Sequence, residues 1–343
     1  IVVGDRWLSS IDGEVQTIQL LQALALVGCE ERVVMATGEV NSWGSADLLK
    51  LPPHVGSPLL DLIDAEGPDS VRALFIVGDD LMRRTPRPAA LARKLSAIET
   101  VVVIDRFETE CVPFAHVVLP SAVFAELDGS VTNALGMVQR WRKVVASPGD
   151  GRPEREWFEK IGRRLGMKEW PATTTEWLQA IALENAAYRP ESVGTLYDDR
   201  PAPAVSLEET IRITFVEPSV PPSAPRVPDY PLALHFRAHP AIWSTGVLSE
   251  REQLLKREVN ESTVSLSPGD SQQAGVRDGS AARVVTSFGE AVLTVRIDAS
   301  LPDGVSLVTV LPGSRAAALR GFRPDSDRRT VGTEPVPGRI EKV

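Results

Sequence analysis

Short runs of valine and isoleucine that alternate with helical stretches are the feature that most constrains this chain. Over the first 105 residues the apolar runs read IVVG, ERVVMAT, VRALFIVGDD and TVVVIDR, and the stretches between them include TIQLLQALALVG and RPAALARKLSAI. Near-continuous apolar runs are typical of parallel strands buried on both faces, and helices supply the crossovers between such strands. The sequence therefore predicts an α/β fold with an open, parallel, Rossmann-like sheet.

Polar residues follow two of these runs, where a parallel sheet binds its ligands. Gly78, Asp79 and Asp80 follow one run, and Asp105 and Thr109 follow the next. In open α/β sheets, ligands lie beyond the carboxyl ends of the strands. The pattern alone favours solvated loop residues that cap the next helix, and a ligand site at these strand ends is the alternative.

A change of composition divides the chain. Proline is dense in RPAPAVS and VEPSVPPSAPRVPDYP, which predicts an extended linker. The sequence beyond it alternates with period two, and SFGE between two alternating runs predicts a hairpin turn. The predicted domains are an α/β domain over 1–195, a Pro-rich linker over 196–230 and a small β-barrel over 231–343.

Composition and spacing argue against several functional classes. The formal net charge of -9 is unsuited to a nucleic-acid partner. Cys29 and Cys111 are far apart, so this chain's thiols build neither an iron–sulfur cluster nor a zinc site. His235 and His239 are four apart, but their segment predicts strand and turn, so we predict no metal site there. No GxSxG, GxGxxG or P-loop motif is present, and no apolar run has the length of a membrane span.

The segment LPSAVFAELDGSVTNALGMVQRWRKVV carries the other candidate residues. Glu126 and Asp128 are two apart in a turn, where carboxylates usually act as caps rather than as an acid–base pair. Arg140, Arg142 and Lys143 are suited to a phosphate or carboxylate, but a solvated face or an intersubunit salt bridge is the favoured interpretation. We predict no catalytic residue in this chain. Because it opens on what looks like an internal strand, we expect it to be the remainder of a longer protein or one partner of a split one.

The order of the segments resembles the molybdopterin oxidoreductase superfamily. The resemblance is carried by GEVNSWGSADLLKLPP, by VRALFIVGDDLM and by the stretch from VVVIDRFETE to EKIGRRLGM. It continues in HPAIWSTGVLSEREQLL and the β-rich segment after it, which resembles the superfamily's C-terminal dinucleotide-binding barrel. Within the superfamily the chain is most similar to the large iron–sulfur subunit of NADH-quinone oxidoreductase (respiratory complex I), and next to the formate dehydrogenase catalytic subunit.

The resemblance implies a fold and a set of site residues. The barrel is expected to be of the double-psi type. The segment with Thr132, Asn133 and Gln139 matches a family junction beside the cofactor cavity. If a pterin cofactor is retained, the residues implied to bind it are Gly78, Asp79, Asp105, Thr109, Ser244, Thr245 and Gly246.

The chain departs from the pattern of cofactor-dependent members at three places. GDDL stands where they have GENP, and Glu108 to Cys111 stand where they have Thr-x-Thr-Ala. The stretch LPGSRAAALRGFRPDS lacks their asparagine-containing loop. Unpaired carboxylates beside buried phosphates are unfavourable, so these departures favour the complex I interpretation.

We therefore expect a structural region of a protein like the large iron–sulfur subunit of complex I, in an NADH- or ferredoxin-linked electron-transfer complex. On this interpretation the chain holds no cofactor, and iron–sulfur clusters lie in the missing half or in partner subunits. Its place is cytoplasmic, on the peripheral arm of a membrane-bound complex, with no direct membrane span. The alternative is the cofactor-binding half of a formate dehydrogenase-like enzyme with molybdenum or tungsten bis-molybdopterin guanine dinucleotide, and a free-standing assembly module is the third.

One structural feature distinguishes the first two interpretations. A cofactor-binding half needs an open, polar groove between the α/β sheet and the barrel. A structural region is expected to have that groove filled by side chains such as Phe107, Trp243 and Arg315.

Overall fold

The structure is a computed structural model, and it describes most of the chain in separate ranges. These are residues 2–4, 13–28, 34–36, 40–48, 62–64, 71–85, 87–135, 137–185, 188, 202–203, 227–258, 261–320 and 335–343. Cys29 and most of the predicted Pro-rich linker lie outside the described residues.

The first part of the chain forms parallel strands with helices between them, as predicted. The strands are β1 (Val2–Gly4), β2 (Val34–Ala36), β3 (Ala73–Val77), β4 (Thr100–Asp105) and β5 (Val117–Pro120). The helices are α1 (Gly13–Ala25), α2 (Ser42–Leu48), α3 (Leu81–Arg84) and α4 (Pro88–Ala97). Within the described ranges, β1 and β2 form one parallel sheet and β3, β4 and β5 form another.

The sheet of β3, β4 and β5 packs closely on one face and is only partly covered on the other, where Phe75 of β3 is 42% exposed. On one face, Leu91 and Leu95 of α4 are fully buried in a cluster with Val101 and Val103 of β4. On the other face, Phe158 packs on Phe75 with ring centroids 5.8 Å apart. The central strand β4 is buried from Val101 to Asp105, which explains its unbroken apolar run in the sequence.

An antiparallel sheet follows, which the sequence analysis does not predict. It consists of β6 (Gly129–Thr132), β7 (Met137–Trp141) and the two-residue β8 (Ala202–Pro203). Two helices lie between β7 and β8, α5 (Glu154–Arg164) and α6 (Thr174–Glu184). Helix α5 begins after Pro153 and is followed by Gly166, whose φ is +94°.

The last part of the chain is a closed six-stranded barrel, in the order β10-β12-β11-β14-β9-β13. Its strands are β9 (Leu232–Ala238), β10 (Thr263–Leu266), β11 (Ala281–Thr286), β12 (Glu290–Ile297), β13 (Val305–Val310) and β14 (Val336–Lys342). Helices α7 (Gln253–Glu258) and α8 (Pro268–Ala274) connect strands within it.

The barrel combines antiparallel and parallel pairs. The predicted SFGE hairpin is confirmed, since β11 and β12 are antiparallel and Thr286 N–H donates to the carbonyl of Gly289. β10 runs parallel to β12, and β9 runs parallel to β13. Alternate side chains point inward, as in β12, where Ala291, Leu293 and Val295 are buried. The double-psi type stays a prediction. Across the described ranges, no helix combines the length and apolar content needed to cross a membrane.

Candidate functional site

A narrow cleft lies where the loops after β3 and β4 meet the loop after β9. Its volume is about 120 Å³. Both α/β loops leave the carboxyl ends of adjacent parallel strands, which is where this topology places ligands. The lining residues are Gly78, Asp79, Asp80, Arg84, Asp105, Arg106, Phe107, Thr109, Trp243, Ser244, Thr245, Val247 and Leu248.

Asp80 joins the two strand-end loops. Only 1% of it is exposed, and its carboxylate accepts a hydrogen bond from the Glu110 N–H at 3.0 Å and one from the Cys111 thiol at 3.7 Å. The favoured expectation of a solvated helix cap is therefore wrong for Asp80. Although it stands at the N-cap of α3, its side chain makes no capping bond there. Its carboxylate oxygens instead accept from the Glu110 N–H and the Cys111 thiol in the loop after β4.

Asp105 and Thr109 form the β4 side of the cleft, and both are buried. The Asp105 carboxylate accepts a hydrogen bond from the Phe107 N–H at 2.9 Å, which fixes the first turn after β4. Burial raises the pKa of Asp105, and the nearby charge of Asp80 acts in the same direction. The hydroxyl of Thr109 is buried without a hydrogen-bond partner, and such a group is expensive to leave unpaired. The cleft thus holds an unused hydrogen-bonding group.

The barrel-side loop, residues 243–250, approaches the cleft with two residues of positive φ. Ser244 adopts a φ of +50°, a left-handed conformation that is uncommon outside glycine. Gly246 has a φ of +80°, which favours glycine, and a Cβ added there would lie a tight 3.3 Å from Pro312. The Ser249 hydroxyl accepts a bond from the Trp243 N–H at 2.9 Å and closes the loop.

The structure brings together the residues that the resemblance implies. Gly78, Asp79, Asp105, Thr109, Ser244 and Thr245 all line the cleft, whereas Gly246 lies in the same loop but outside the lining. Whether these residues bind a cofactor stays a prediction.

The cleft is polar, as expected of a cofactor-binding half, but it is also partly filled by side chains, as expected of a structural region. Phe107 and Trp243 line it, and the guanidinium of Arg251 lies 4.3 Å from the Phe107 ring centroid. Arg315 begins the 3-10 helix Arg315–Arg320 and does not line the cleft.

The segment with Thr132 and Asn133 forms a hairpin turn. The Asn133 side-chain oxygen accepts bonds from the N–H groups of Leu135 and Met137, and its amide donates to Gln139 at 3.0 Å. The expectation that this segment lies beside the cofactor cavity finds no support in the cleft lining, because none of these residues takes part in it. The side chains of Asn133 and Gln139 are occupied by the turn between β6 and β7, and the Thr132 hydroxyl lies 3.0 Å from the Tyr188 hydroxyl.

Both of the paired carboxylates have local partners. Glu126 accepts a bond from the Val123 N–H at 3.1 Å, which confirms the expected capping role. Asp128 accepts a bond from the Lys143 N–H at 3.3 Å and lies 3.9 Å from Arg140.

The two histidines also lie as predicted. His235 is on β9, and His239 is in the following turn, where its Nδ1 accepts a bond from the Ala241 N–H. Burial lowers the pKa of His235. Within the described part of the chain, no group of three potential metal ligands is found.

A larger cavity, of about 780 Å³, lies against the barrel. Its wall includes Asp270, Asp303 and Arg339, but none of the residues implied by the resemblance. Asp270 accepts a bond from the Gly304 N–H at 2.9 Å and one from the Ser267 hydroxyl at 2.9 Å. These contacts secure the start of α8 and the turn before β13, so the carboxylate has a structural role.

Sequence reasoning missed the arginines of α3. Arg84 lines the cleft, and Arg83 reaches Glu250 of the barrel-side loop at 2.7 Å. No motif marks the contact between Arg83 and Glu250, because its members are far apart in the sequence and each is an ordinary charged residue.

Comparison with known proteins identifies relatives for most of the chain. Residues 3–164 match the family described as molybdopterin oxidoreductase. The alpha subunit of F420-dependent formate dehydrogenase 1 from Methanococcus maripaludis is 24% identical over 74% of this chain and 40% of its own length. A subunit of NADH-quinone oxidoreductase from Rhizobium meliloti is 25% identical over 82% of this chain and 31% of its own length. The chain thus spans about 40% or less of these relatives.

The fold is also that of a solved structure. Acetylene hydratase from Pelobacter acetylenicus superposes with a TM-score of 0.61 over 83% of this chain and 46% of its own, at 16% identity. At this identity the likeness shows the fold alone. The alignment to the formate dehydrogenase subunit is statistically stronger than the one to the NADH-quinone oxidoreductase subunit. The order of similarity expected from the sequence is therefore reversed.

Proposed function

We propose that the chain is part of a formate dehydrogenase-like oxidoreductase subunit, since its residues 3–164 match the molybdopterin oxidoreductase family. In this proposal the cleft holds the nucleotide end of a molybdopterin guanine dinucleotide. The alignments to formate dehydrogenase alpha subunits support this more specific assignment.

The unpartnered Thr109 hydroxyl is the observation that carries the proposal. It is buried beside the carboxylates of Asp79 and Asp105 in a cleft formed by two strand ends. Carboxylates accept hydrogen bonds well from paired N–H groups such as those on the edge of guanine. A guanosine end would thus use both the carboxylates and the spare hydroxyl.

The volume of the cleft limits how much of the dinucleotide it can enclose. About 120 Å³ is well below the roughly 300–1,000 Å³ of pockets that enclose a whole small molecule. In this proposal the cleft holds only part of the nucleotide end, and the pterin end would lie beyond it.

The chain's own role in the chemistry is to bind and orient. When bound, a molybdenum or tungsten pterin supplies the redox centre. Cys111 is unsuited to ligate that metal, because burial raises its pKa to about 12 and its thiol donates to Asp80. The groups that react with substrate would then come from outside this chain, as would partner subunits of the complex.

Elemental and nucleotide analysis of the native complex tests the proposal. We expect molybdenum or tungsten in a stoichiometric ratio to this chain, with GMP released on acid hydrolysis. In a Thr109→Val variant the GMP content should fall, whereas a Thr100→Val control, at an exposed position that begins β4, should retain it. An intact complex with neither metal and no GMP would overturn the proposal.

A structural region of a protein like the large iron–sulfur subunit of complex I is the second candidate. It is favoured by the narrow cleft and by the carboxylates that face it, which are unsuited to a pyrophosphate. The relative from Rhizobium meliloti is consistent with it. Iron without molybdenum, tungsten or GMP in the native complex would support this candidate, together with the expected place on the peripheral arm of a membrane-bound complex.

A further inference from the structure

Arg83 connects the α/β loops to the barrel-side loop through one guanidinium group. Its Nη1 donates to Glu250 at 2.7 Å and to the Thr245 carbonyl at 3.4 Å. Its Nε donates to Glu110 at 3.0 Å and lies 3.6 Å from the Asp80 carboxylate. The position of the barrel-side loop therefore depends on this side chain.

The carboxylates around Arg83 make the position of the barrel-side loop sensitive to loss of this side chain. Its side chain is 17% exposed and faces three carboxylates, of which that of Asp80 is fully buried. The Glu110 and Glu250 side chains are 49% and 39% exposed, so solvent partly screens their pairs with Arg83, whereas loss of Arg83 would leave the Asp80 carboxylate buried without its counter-charge. Without Arg83, Glu250 would repel Glu110 and Asp80, and the loop would move away.

Arg84 has the same two-sided arrangement but is more accessible. Its Nε donates to Asp79 at 2.6 Å, and its Nη2 donates to the Ser244 hydroxyl at 3.0 Å. Its side chain is 44% exposed and lines the cleft. A phosphate matches the guanidinium fork as well as a carboxylate does and carries more charge. A phosphate in the cleft would therefore compete with Asp79 for Arg84.

We propose that Arg83 and Arg84 form a clamp across the cleft with two separate tasks. Arg83 is the positioning residue that holds the barrel-side loop, residues 243–250, on the α/β loops. Arg84 is the cleft's phosphate-binding residue, and it exchanges Asp79 for a phosphate of the bound nucleotide. The second task rests on the proposed function, and the first does not.

Hydrogen exchange of the full chain tests Arg83 without any ligand. In an Arg83→Met variant the amides of 243–250 should exchange at least about tenfold faster, because the loop opens at lower free energy. Glu250→Gln should also speed amide exchange in 243–250, although it leaves Arg83 and the α/β loops intact. An Arg72→Met control removes the exposed pair with Glu99 and should change nothing in this loop. Unchanged exchange in Glu250→Gln and in a folded Arg83→Met variant would overturn the clamp.

Calorimetric titration with GDP and with guanosine tests Arg84. We expect the Arg84→Met variant to lose about 10- to 100-fold in GDP affinity, since a charge-assisted hydrogen bond is lost, and to bind guanosine as the wild type does. Arg83→Met should weaken both ligands equally. If Arg84→Met loses affinity equally for both ligands, or loses none, the role of Arg84 is overturned. Binding of GDP to the wild type would still uphold the proposed function in that case. No binding of either ligand to wild type would overturn the proposed function and the role of Arg84, while hydrogen exchange still decides on Arg83.

Discussion

The buried carboxylate of Asp80 accepts a hydrogen bond from the backbone N–H of Glu110 at 3.0 Å, which ties the loop after β3 to the loop after β4. The same carboxylate accepts the thiol of Cys111 and lies beside Arg83. One side chain at a strand end thus sets the spacing of both α/β walls of the cleft.

Replacement of Asp80 by alanine should destabilise the chain by about 1–3 kcal/mol, because the Glu110 N–H and the Cys111 thiol lose their acceptor while Arg83 keeps Glu110 and Glu250. Urea unfolding followed by circular dichroism measures this change. Asp64→Ala, which removes an exposed pair with Arg87, should cost less than about 1 kcal/mol. A similar small loss in both variants would contradict the role given to Asp80.

Thr109→Val should stabilise the empty chain by about 1 kcal/mol, because it removes a buried hydroxyl that has no partner. Thermal unfolding of the cofactor-free protein is the measurement. If the variant is instead less stable than wild type, the hydroxyl has a partner within the chain and is not reserved for a ligand.

Asp105 should make stability fall as pH rises. Its pKa is raised in the folded state, so folded protein binds the proton more tightly than unfolded protein does. The effect begins near the ordinary aspartate value of 3.8 and is complete above the raised pKa. Asp105→Asn, whose oxygen can still accept from Phe107, should be more stable than wild type at neutral pH. The difference should shrink as the pH falls to about 4 and below, and a constant difference across this range would contradict the assignment.

Cys111 should resist alkylation in the native protein. With a pKa of about 12, its thiolate fraction at mild alkaline pH is on the order of a thousandfold below that of an ordinary thiol. Iodoacetamide treatment followed by peptide mapping should therefore leave Cys111 unmodified until the protein is denatured. Rapid modification of the native protein at this residue would show that the Asp80 loop opens readily.

Gly338→Ala should destabilise the barrel by about 1–3 kcal/mol through overpacking. A Cβ at this position would overlap the side chain of Leu234, which is fully buried in the barrel core. Gly151→Ala is the matched control, because its Cβ would meet its neighbours at an ordinary 3.5 Å. Denaturant unfolding of both variants measures the difference, and equal stabilities would contradict the packing described here.

The elements that the sequence predicted well are those with strong local signals. Unbroken apolar runs identified β3 and β4, and β4 needs such a run because it is buried at every position after Thr100. Pro153 and Gly166 are local signals of the same kind for α5, because proline is tolerated where a helix begins and glycine readily adopts the left-handed backbone beyond its end. The nearness of Asp79 and Asp105 followed from topology, since neighbouring parallel strands end at one sheet edge.

The hairpin of β6 and β7 was missed although a signal was present. The run MVQRW alternates in polarity, and Asn133 precedes it in a stretch suited to a turn. Its charged and aromatic residues favoured a chemical interpretation instead. The clamp of Arg83 and Glu250 had no comparable signal, because a contact between distant charged residues depends on how two parts of the fold meet.

Barrel closure has a consequence for synthesis on the ribosome. β9 pairs with β13 and β14, so its partners are the last two strands of the barrel to be translated. Both edges of β9 stay unpaired while β10, β11 and β12 emerge, and long-range pairing of this kind is slow to form. The nascent barrel therefore depends on protection from aggregation until residues 336–342 have left the exit tunnel. The α/β sheet of β3, β4 and β5, whose strands are close in sequence, can complete its hydrogen bonds long before that point.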